Sequence, residues 1–258
     1  MYGLENRYLN HPADTAWYNL GDWSGERQRY PEACERLARR LALDAGFAPG
    51  QSLFDIGCGC AEQDLFWVER FELASIDAIT LPGPQLEWAR ARIDAHRMGR
   101  RVRIQGVAVE DVRPRRVYDH VAALDSAYHF SKTTLFSRAA ALTAPGSHLA
   151  FTDFVRAQPQ LASGVCLILK GGGIEPAHLG TQSDLDAWAA RSGFERRACR
   201  DISAEVMRGF SEFVRRERVA LLKSAGLDAL RFLVTGSALG HLYRQGSLTY
   251  RLLVYTRT

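Results

Sequence analysis

The sequence lacks the features of several protein classes. Its 258 residues include five cysteines, an odd number without Cys-x-x-Cys spacing, so neither a disulfide framework nor a zinc site is predicted. Its longest unbroken apolar stretches, such as residues 165–169, fall far short of the roughly 18 residues that a membrane span needs, and the first ten residues hold no apolar signal core. We therefore expect a cytoplasmic protein that is neither exported nor membrane-spanning.

There is also little excess of charge. Lys and Arg number 33 against 29 acidic residues, and the basic clusters at 100–103, 113–116 and 215–218 are interrupted by apolar or acidic residues. This pattern predicts solvated surface and no binding of nucleic acid. Because 47% of the residues are hydrophobic and 24% are charged, we expect a globular chain that can bury a sizeable core.

Short aliphatic runs alternate with segments of helical period from residue 51 onward. This alternation predicts an α/β sheet with crossover helices. Helices are expected over residues 30–45 and 84–98, and Ser131 is expected to cap the start of another. Seven strands are predicted, at residues 52–56, 74–80, 102–107, 118–124, 149–154, 196–202 and 247–256.

The whole chain, residues 1–258, is predicted to form one domain. Residues 1–48 are expected to form an N-terminal lid and helix. Two insertions, 157–180 and 203–245, are expected to roof a pocket over the C-terminal ends of the strands, where open α/β sheets bind ligands. Aromatic residues of the second insertion, such as Phe210 and Phe213, are interpreted as core.

The turn after the first strand is the most informative stretch. Asp55 lies near the end of that strand, and Gly57 and Gly59 follow it, so a ligand can approach backbone that has no Cβ in the way. A dinucleotide fingerprint would place its third glycine at position 62, where Glu62 stands. Its negative charge at a helix N-terminus competes with a pyrophosphate for the same end of the dipole. The turn therefore favours a cationic ligand without phosphate.

From these residues the chain resembles the class I S-adenosylmethionine-dependent methyltransferases, in their small-molecule, natural-product branch. The acidic residue and Gly-x-Gly-x-Gly of that family are matched by the turn just described, with Ala61 in place of the third glycine. Residues 78–90 resemble the family's "GITLSxxQxxxAR" strand and helix, and residues 19–23 resemble its "NLGYW" leader. Residues 124–130 resemble the end of its fourth strand. The likeness covers roughly residues 15–155.

The resemblance implies a Rossmann-like α/β fold and S-adenosyl-L-methionine as the cofactor, with no metal. The sheet should have seven mostly parallel strands, helices on both faces and a helical cap. Thr80 stands where many relatives carry the acid that holds the ribose, with Gln85 or Asp77 assisting, and Val109 or Glu110 replaces the family's adenine contact. The implied cofactor-binding residues are Tyr18, Trp23, Asp55, Gly57, Gly59, Gln63, Thr80, Gln85, Val109, Glu110 and Asp125.

Three residues are candidates for the chemistry. His129 follows the fourth strand and Asp153 lies in the fifth, and both are expected to point into the crevice above the sheet. The resemblance implies that His129 is a general base or acceptor anchor, that Asp153 orients it and that Tyr128 shapes the pocket. An imidazole near its ordinary pKa suits this role, although both residues could equally be structural.

The first interpretation is therefore methyl transfer to an oxygen or nitrogen of a small organic biosynthetic intermediate. Methylation of carbon in an activated ring is one alternative. A degenerate, methyltransferase-like binding protein is another, because the third glycine, the ribose acid and the adenine-binding acid of the family are missing. A nucleic-acid methyltransferase is not expected, because no added basic module is present. A homodimer is left open.

Overall fold

The computed structural model describes residues 7–10, 15–25 and 28–258, without the side chains of 7, 8 and 224–229. Within these residues the strands are β1 (Ser52–Ile56), β2 (Ser75–Thr80), β3 (Val102–Gly106), β4 (Tyr118–Ala123), β5 (Thr143–Arg156), β6 (Phe194–Asp201) and β7 (Leu248–Arg257). The helices are α1 (Arg7–Asn10), α2 (Tyr30–Ala45), α3 (Glu62–Arg70), α4 (Pro84–Ala95), α5 (Lys132–Leu142), α6 (Ser163–Gly171), α7 (Gln182–Arg191) and α8 (Gly209–Gln245). Among them, none is both long and apolar enough to cross a membrane.

The strands form one sheet in the order β3-β2-β1-β4-β5-β7-β6. Strands β1 to β5 pair in parallel, whereas β7 runs antiparallel to β5 and β6. This arrangement confirms the predicted Rossmann-like sheet. The strand order reverses between β1 and β4, so a crevice opens at their carboxyl ends, which is where such sheets bind ligands.

The sheet is buried on both faces, which explains why its strands read as nearly continuous apolar runs. Side chains alternate between the faces along each strand. Leu53 belongs to a core with residues of α2, α3 and α8, whereas its neighbour Phe54 belongs to a second core with residues of α5 and α7. The two cores fix which side chains each strand can send toward the crevice.

Most predicted boundaries hold within two residues. Helix α2 has the predicted ends, and Ser131 caps α5 by accepting a hydrogen bond from the backbone N of Thr134 at 3.1 Å. Strand β5 begins six residues earlier than predicted, because Thr143 already pairs with Tyr118 before an irregularity in the register. The insertion at 203–245 is a π-turn, Ala204–Arg208, followed by the single long helix α8.

Candidate functional site

A cavity lies at the carboxyl ends of β1 to β4. Its walls are the loops after these strands, part of the leader (here residues 15–25) and one face of α8. It brings together eleven of the fourteen predicted site residues: Tyr18, Gly57, Gly59, Gln63, Thr80, Gln85, Val109, Glu110, Asp125, Tyr128 and His129. The other three, Trp23, Asp55 and Asp153, lie elsewhere.

Residues 57–59, called the glycine turn below, are fixed from two sides. The backbone nitrogens of Gly57 and Cys58 donate to the carbonyl of Ile79 at 2.9 and 3.0 Å. Gly57 has φ +86°, and a Cβ there would lie 2.6 Å from Cβ of Ser126. Gly59 has φ +58°, and a Cβ there would meet no atom within 4 Å, so this glycine faces open space. The first glycine is therefore required by packing, and the second leaves room for a ligand.

Asp55 does not line the cavity, so its predicted direct contact with the cofactor is corrected. The side chain is fully buried beneath the glycine turn, and its Oδ2 accepts a hydrogen bond from Nε2 of Gln63 at 3.0 Å. Burial raises the pKa of this carboxyl to about 7. Asp55 meets the cavity only indirectly, because it binds Gln63, which does line the cavity.

Asp125 lines the cavity, but its carboxylate is occupied by donors of the chain itself. Its Oδ2 accepts from the backbone N of Leu20 at 2.7 Å, and its Oδ1 accepts from the hydroxyls of Tyr128, at 2.9 Å, and Tyr250. Burial raises the pKa of Asp125. The carboxylate therefore ties the leader to the sheet, and a direct role in cofactor binding stays a prediction.

Trp23 is a second correction, because it packs against α8 and not against the cavity. Its ring stacks on that of Phe213 with 4.3 Å between centroids, and its Nε1 donates to the carbonyl of Leu20 at 2.8 Å. Its backbone N donates to the carbonyl of Glu205 at 3.0 Å. Trp23 thus fastens the leader to the helix that covers the cavity.

His129 lies on the cavity wall with a defined tautomer. Its Nδ1 is 3.2 Å from the carbonyl oxygen of Gly173, which can only accept, so Nδ1 carries the proton and Nε2 is the basic nitrogen. Burial, reinforced by the charge of Lys132, lowers the pKa of His129 to about 4. The expectation of an ordinary pKa was wrong, and the ring is neutral at pH 7.

Asp153 is the third correction. It is fully buried on the face of the sheet that α5 covers, where its Oδ2 lies 3.0 Å from Nζ of Lys132. The same Nζ donates to the carbonyl of Ala127 at 2.6 Å. Burial raises the pKa of Asp153 to about 6 although Lys132 opposes the shift. Asp153 therefore does not orient His129 directly, and the pair supports the loop that carries it.

The remaining predicted positions lie at the other end of the cavity. Thr80 and Gln85 follow β2, and Val109 and Glu110 follow β3. Asp77 cannot assist them, because its carboxylate accepts from Arg116 and Tyr118, each at 2.7 Å. The assignment of these four residues to the ribose and adenine stays a prediction.

Several lining residues were not predicted. They include Tyr30 of α2 and three residues of α8, Phe210, Phe232 and Thr235. Phe210 was interpreted as core, and it is both buried and a lining residue. Residues 157–180, all of which the structure describes, do not line the cavity, and this segment meets the site through the carbonyl of Gly173.

Comparison with known proteins decides what this arrangement is. Residues 2–161 match the mycolic acid cyclopropane synthetase family. The chain belongs to this family. It is therefore a class I methyltransferase of the small-molecule branch, as the resemblance implied, and S-adenosylmethionine is its cofactor.

The chain is also similar to individual proteins, of which the two solved structures below show the fold. The chain is 31% identical over 150 residues to erythromycin 3''-O-methyltransferase of Saccharopolyspora erythraea, a match that covers 57% of this chain and 49% of the relative, or about half its length. The cyclopropane synthase MmaA2 of Mycobacterium tuberculosis is similar in structure, with TM-score 0.78, 18% identity, and coverage of 97% of this chain and 93% of that one. A second similar structure is geranyl diphosphate C-methyltransferase of Streptomyces coelicolor A3(2), solved with Mg2+, geranyl diphosphate and S-adenosyl-L-homocysteine. Its TM-score is 0.77 at 17% identity, and the match covers 98% of this chain and 96% of that one.

The cavity of this family member fits the cofactor. Among the described lining residues there is no lysine or arginine, which a phosphate-bearing ligand would favour, whereas Glu110 and Asp125 are acidic. A sulfonium is a cation, and the rings of Tyr18 and Tyr30 also suit it. Nor does the described part of the chain contain a group of three or more His, Cys, Asp or Glu side chains that could hold a metal ion.

Proposed function

We propose that this chain transfers the methyl group of S-adenosylmethionine to a hydroxyl oxygen of a small, uncharged organic intermediate. One observation carries the proposal: His129 and Tyr128 line the same cavity as the glycine turn. A candidate base and a candidate cofactor cradle thus share one space. The proposal is finer than family membership, because the similar proteins named above include an O-methyltransferase, a C-methyltransferase and a cyclopropane synthase.

Each part of the cofactor has candidate partners in the cavity. The glycine turn and Gln63 would hold its amino-acid end, and Thr80 with Gln85 would bind the ribose hydroxyls. Val109 and Glu110 would border the adenine. When bound, the cofactor supplies an electrophilic methyl group on a positively charged sulfur.

The acceptor hydroxyl has to lose a proton as its oxygen is methylated. Nε2 of His129 can accept that proton, because the hydrogen bond from Nδ1 to Gly173 fixes the tautomer. The low pKa keeps the ring neutral at pH 7, so it is in the form that accepts a proton, and it also makes Nε2 a weaker base than an ordinary imidazole, so alignment has to carry more of the catalysis. Alignment of acceptor and methyl group is the other requirement, and in well-oriented reactions it lowers the barrier by about 7 to 11 kcal/mol.

The walls restrict the class of acceptor. Phe130, Phe210 and Phe232 contribute apolar surface to the walls of the cavity that His129 also lines. Without a lining lysine or arginine among the described residues, the cavity is a poor site for a diphosphate, which the C-methyltransferase of Streptomyces coelicolor binds with Mg2+. The relative from Saccharopolyspora erythraea is by name an O-methyltransferase, which supports oxygen as the acceptor atom.

The test has two stages. S-adenosylhomocysteine should first raise the melting temperature, since a ligand that binds only the native state stabilises it. Methyl incorporation into metabolite extracts should then be followed, with the product identified by mass and by NMR of the new methyl group. An N-methyl or C-methyl product would replace the proposed acceptor atom, and failure to bind S-adenosylhomocysteine would favour the degenerate binding protein.

The role of His129 is tested once a substrate is known. His129→Ala should lower kcat by about 10²-fold or more, with the affinity for S-adenosylhomocysteine unchanged. Because its pKa is about 4, wild-type activity should not fall from protonation of this residue between pH 8 and pH 5. His96→Ala, which removes a histidine that follows α4, is the matched control. Full activity of His129→Ala would remove the residue from the mechanism.

A further inference from the structure

Two carboxyl groups that the proposed reaction does not use lie beneath the glycine turn. Asp55 comes from β1 and Asp64 from the first turn of α3, and both side chains are fully buried. The two carboxyl groups interact directly, because each shifts the pKa of the other, and Oδ1 of Asp55 and both oxygens of Asp64 are buried with no other hydrogen-bond partner among the described residues. Two carboxylates in contact repel each other strongly when both are ionised, so such a pair retains a proton between them.

The surroundings place this proton on Asp64. Oδ2 of Asp55 accepts a hydrogen bond from Nε2 of Gln63, which stabilises its ionised form, whereas Asp64 has no such donor among the described residues. Burial raises the pKa of both carboxyls, that of Asp64 well above its ordinary value. Burial raises the pKa of the neighbouring Cys58 thiol, and the charges of both carboxyls raise it further. Among the described residues, no lysine, arginine or histidine shifts the pKa of either carboxyl. Asp55 is therefore the acceptor of the pair.

The pair reaches the cavity through one side chain. Gln63 lines the cavity beside the glycine turn, and its Nε2 donates to Oδ2 of Asp55 at 3.0 Å. Because the amide nitrogen is bound by Asp55, Oε1 is the atom that the amide offers to a ligand, and it has no partner among the described residues. An amide oxygen only accepts hydrogen bonds, so it suits an ammonium group and not a carboxylate.

We propose that Asp64 is a positioning residue for cofactor binding. By donating its proton to Asp55 it keeps Asp55 an acceptor for Gln63, and Gln63 thereby presents Oε1 to the α-ammonium group of S-adenosylmethionine. The inference deepens the proposed function and rests on its cofactor site, but it is independent of the acceptor and of His129.

The experiment compares two ligands by calorimetry. S-adenosylhomocysteine carries the amino-acid end, whereas 5′-methylthioadenosine has the same nucleoside without it. Gln63→Leu and Asp64→Leu should each weaken the binding of S-adenosylhomocysteine by about tenfold, which is the scale of a hydrogen bond to a charged group. The same variants should weaken the binding of 5′-methylthioadenosine by less than about twofold. Asp64→Asn should bind S-adenosylhomocysteine like the wild type, because its amide donates in place of the acid. Glu69→Gln, on the exposed part of the same helix, is the matched control.

A double variant separates positioning from a merely structural role. Gln63→Leu/Asp64→Leu should bind S-adenosylhomocysteine no more weakly than Gln63→Leu alone, because Asp64 acts through Gln63. Additive losses, or equal losses for both ligands, would overturn the inference while leaving the proposed function intact. If Asp64→Leu does not fold, Asp64→Asn and Gln63→Leu decide: a tenfold loss in Asp64→Asn contradicts the inference. A wild type that binds no S-adenosylhomocysteine overturns both proposals.

Discussion

Gly57 and Gly59 occupy the same turn, but different neighbours constrain them. A Cβ on Gly57 would meet Ser126 at 2.6 Å, whereas one on Gly59 would meet no atom within 4 Å, and both have positive φ. Gly57→Ala should therefore lower the free energy of unfolding by about 2 to 4 kcal/mol, through backbone strain and overpacking. Gly59→Ala should cost about 1 to 2 kcal/mol from strain alone. Urea denaturation measures both.

Ligand affinity should rank the same two variants in the reverse order, with Gly59→Ala the more affected. The new methyl group of Gly59→Ala would enter the space for the ligand, so it should weaken the binding of S-adenosylhomocysteine when the two variants are compared at the same concentration of folded protein.

A second substitution tests the packing at Gly57. Adding Ser126→Gly to Gly57→Ala should recover the overpacking part of the stability loss. Equal stability of the two single variants would show that Ser126 does not constrain Gly57.

The Asp55 and Asp64 pair predicts a pH dependence of stability. Both pKa values are raised in the native state, that of Asp55 to about 7, so between about pH 4 and 7 the native pair holds more protons than the unfolded chain. Its contribution to the free energy of unfolding is present below about pH 4 and is lost as the pH rises through about 7. Asp64→Asn has no proton to lose at this position. Between pH 5 and pH 8 its free energy of unfolding should fall less than that of the wild type, by on the order of 1 to 2 kcal/mol, as measured by denaturant titrations. Parallel curves for the two proteins would contradict the shared proton.

At the scale of elements, the buried ion pair of Lys132 and Asp153 joins the start of α5 to β5 and to the loop that carries His129. Lys132→Met should cost about 3 to 5 kcal/mol, because it leaves Asp153 buried without its partner. The double variant Lys132→Met/Asp153→Leu should recover much of that loss. Thermal and urea unfolding measure both.

Measurements of activity distinguish the two functions of Lys132 and Asp153, which are to stabilise the fold and to support the loop that carries His129. Nζ of Lys132 also donates to the carbonyl of Ala127, so the double variant should regain stability without regaining the full rate of methyl transfer. A double variant with wild-type activity would mean that the loop needs no support from Lys132. A direct role of Asp153 toward the acceptor would instead make Asp153→Leu inactive even where Lys132→Met is active.

Strand β5 shows which parts of the structure could be predicted from the sequence and which could not. Periodicity predicted the seven strands and α2, because burial on both faces of a parallel sheet leaves a strong apolar signal. It also predicted a strand through Asp153, but a strand sends successive side chains to opposite faces, and the sequence does not say which face borders the cavity. Thr152 and Phe154 face the side of Tyr250, and Asp153 faces Lys132. Only the tertiary structure shows which face of β5 borders the cavity.

The placement of the motif residues, in contrast, could be predicted from the sequence. Gly57, Gly59 and His129 were predicted to lie together because they follow parallel strands, whose carboxyl ends share one edge of the sheet. Phe232 and Thr235 carried no such signal. They lie in a helix far along the chain, and only the packing of α8 over the crevice brings them to the cavity.

At the scale of the whole molecule, the cavity joins parts that are distant in sequence. Tyr18 and Leu20 of the leader, the loops of the sheet and Phe210 of α8 all line it. Asp125 ties the leader to the sheet and Trp23 ties it to α8. A ligand in the cavity touches all three parts at once, so its binding free energy should oppose their separation.

Hydrogen exchange with S-adenosylhomocysteine tests this coupling. At about 100 times Kd the ligand stabilises the native state by about 2.7 kcal/mol, so amides that exchange through opening of the cavity should slow by up to about 100-fold. We expect this slowing in residues 15–25 and 209–214, and less of it in β6, which does not line the cavity. Trp23→Ala should remove this slowing from the leader, because the stacking on Phe213 is lost, while residues 57–63 stay protected because the glycine turn is not altered.

Two outcomes would contradict the coupling. A leader that exchanges at the same rate with and without ligand would show that it does not close over the cofactor. Uniform slowing that includes β6 would mean that the cavity opens only when the whole protein unfolds.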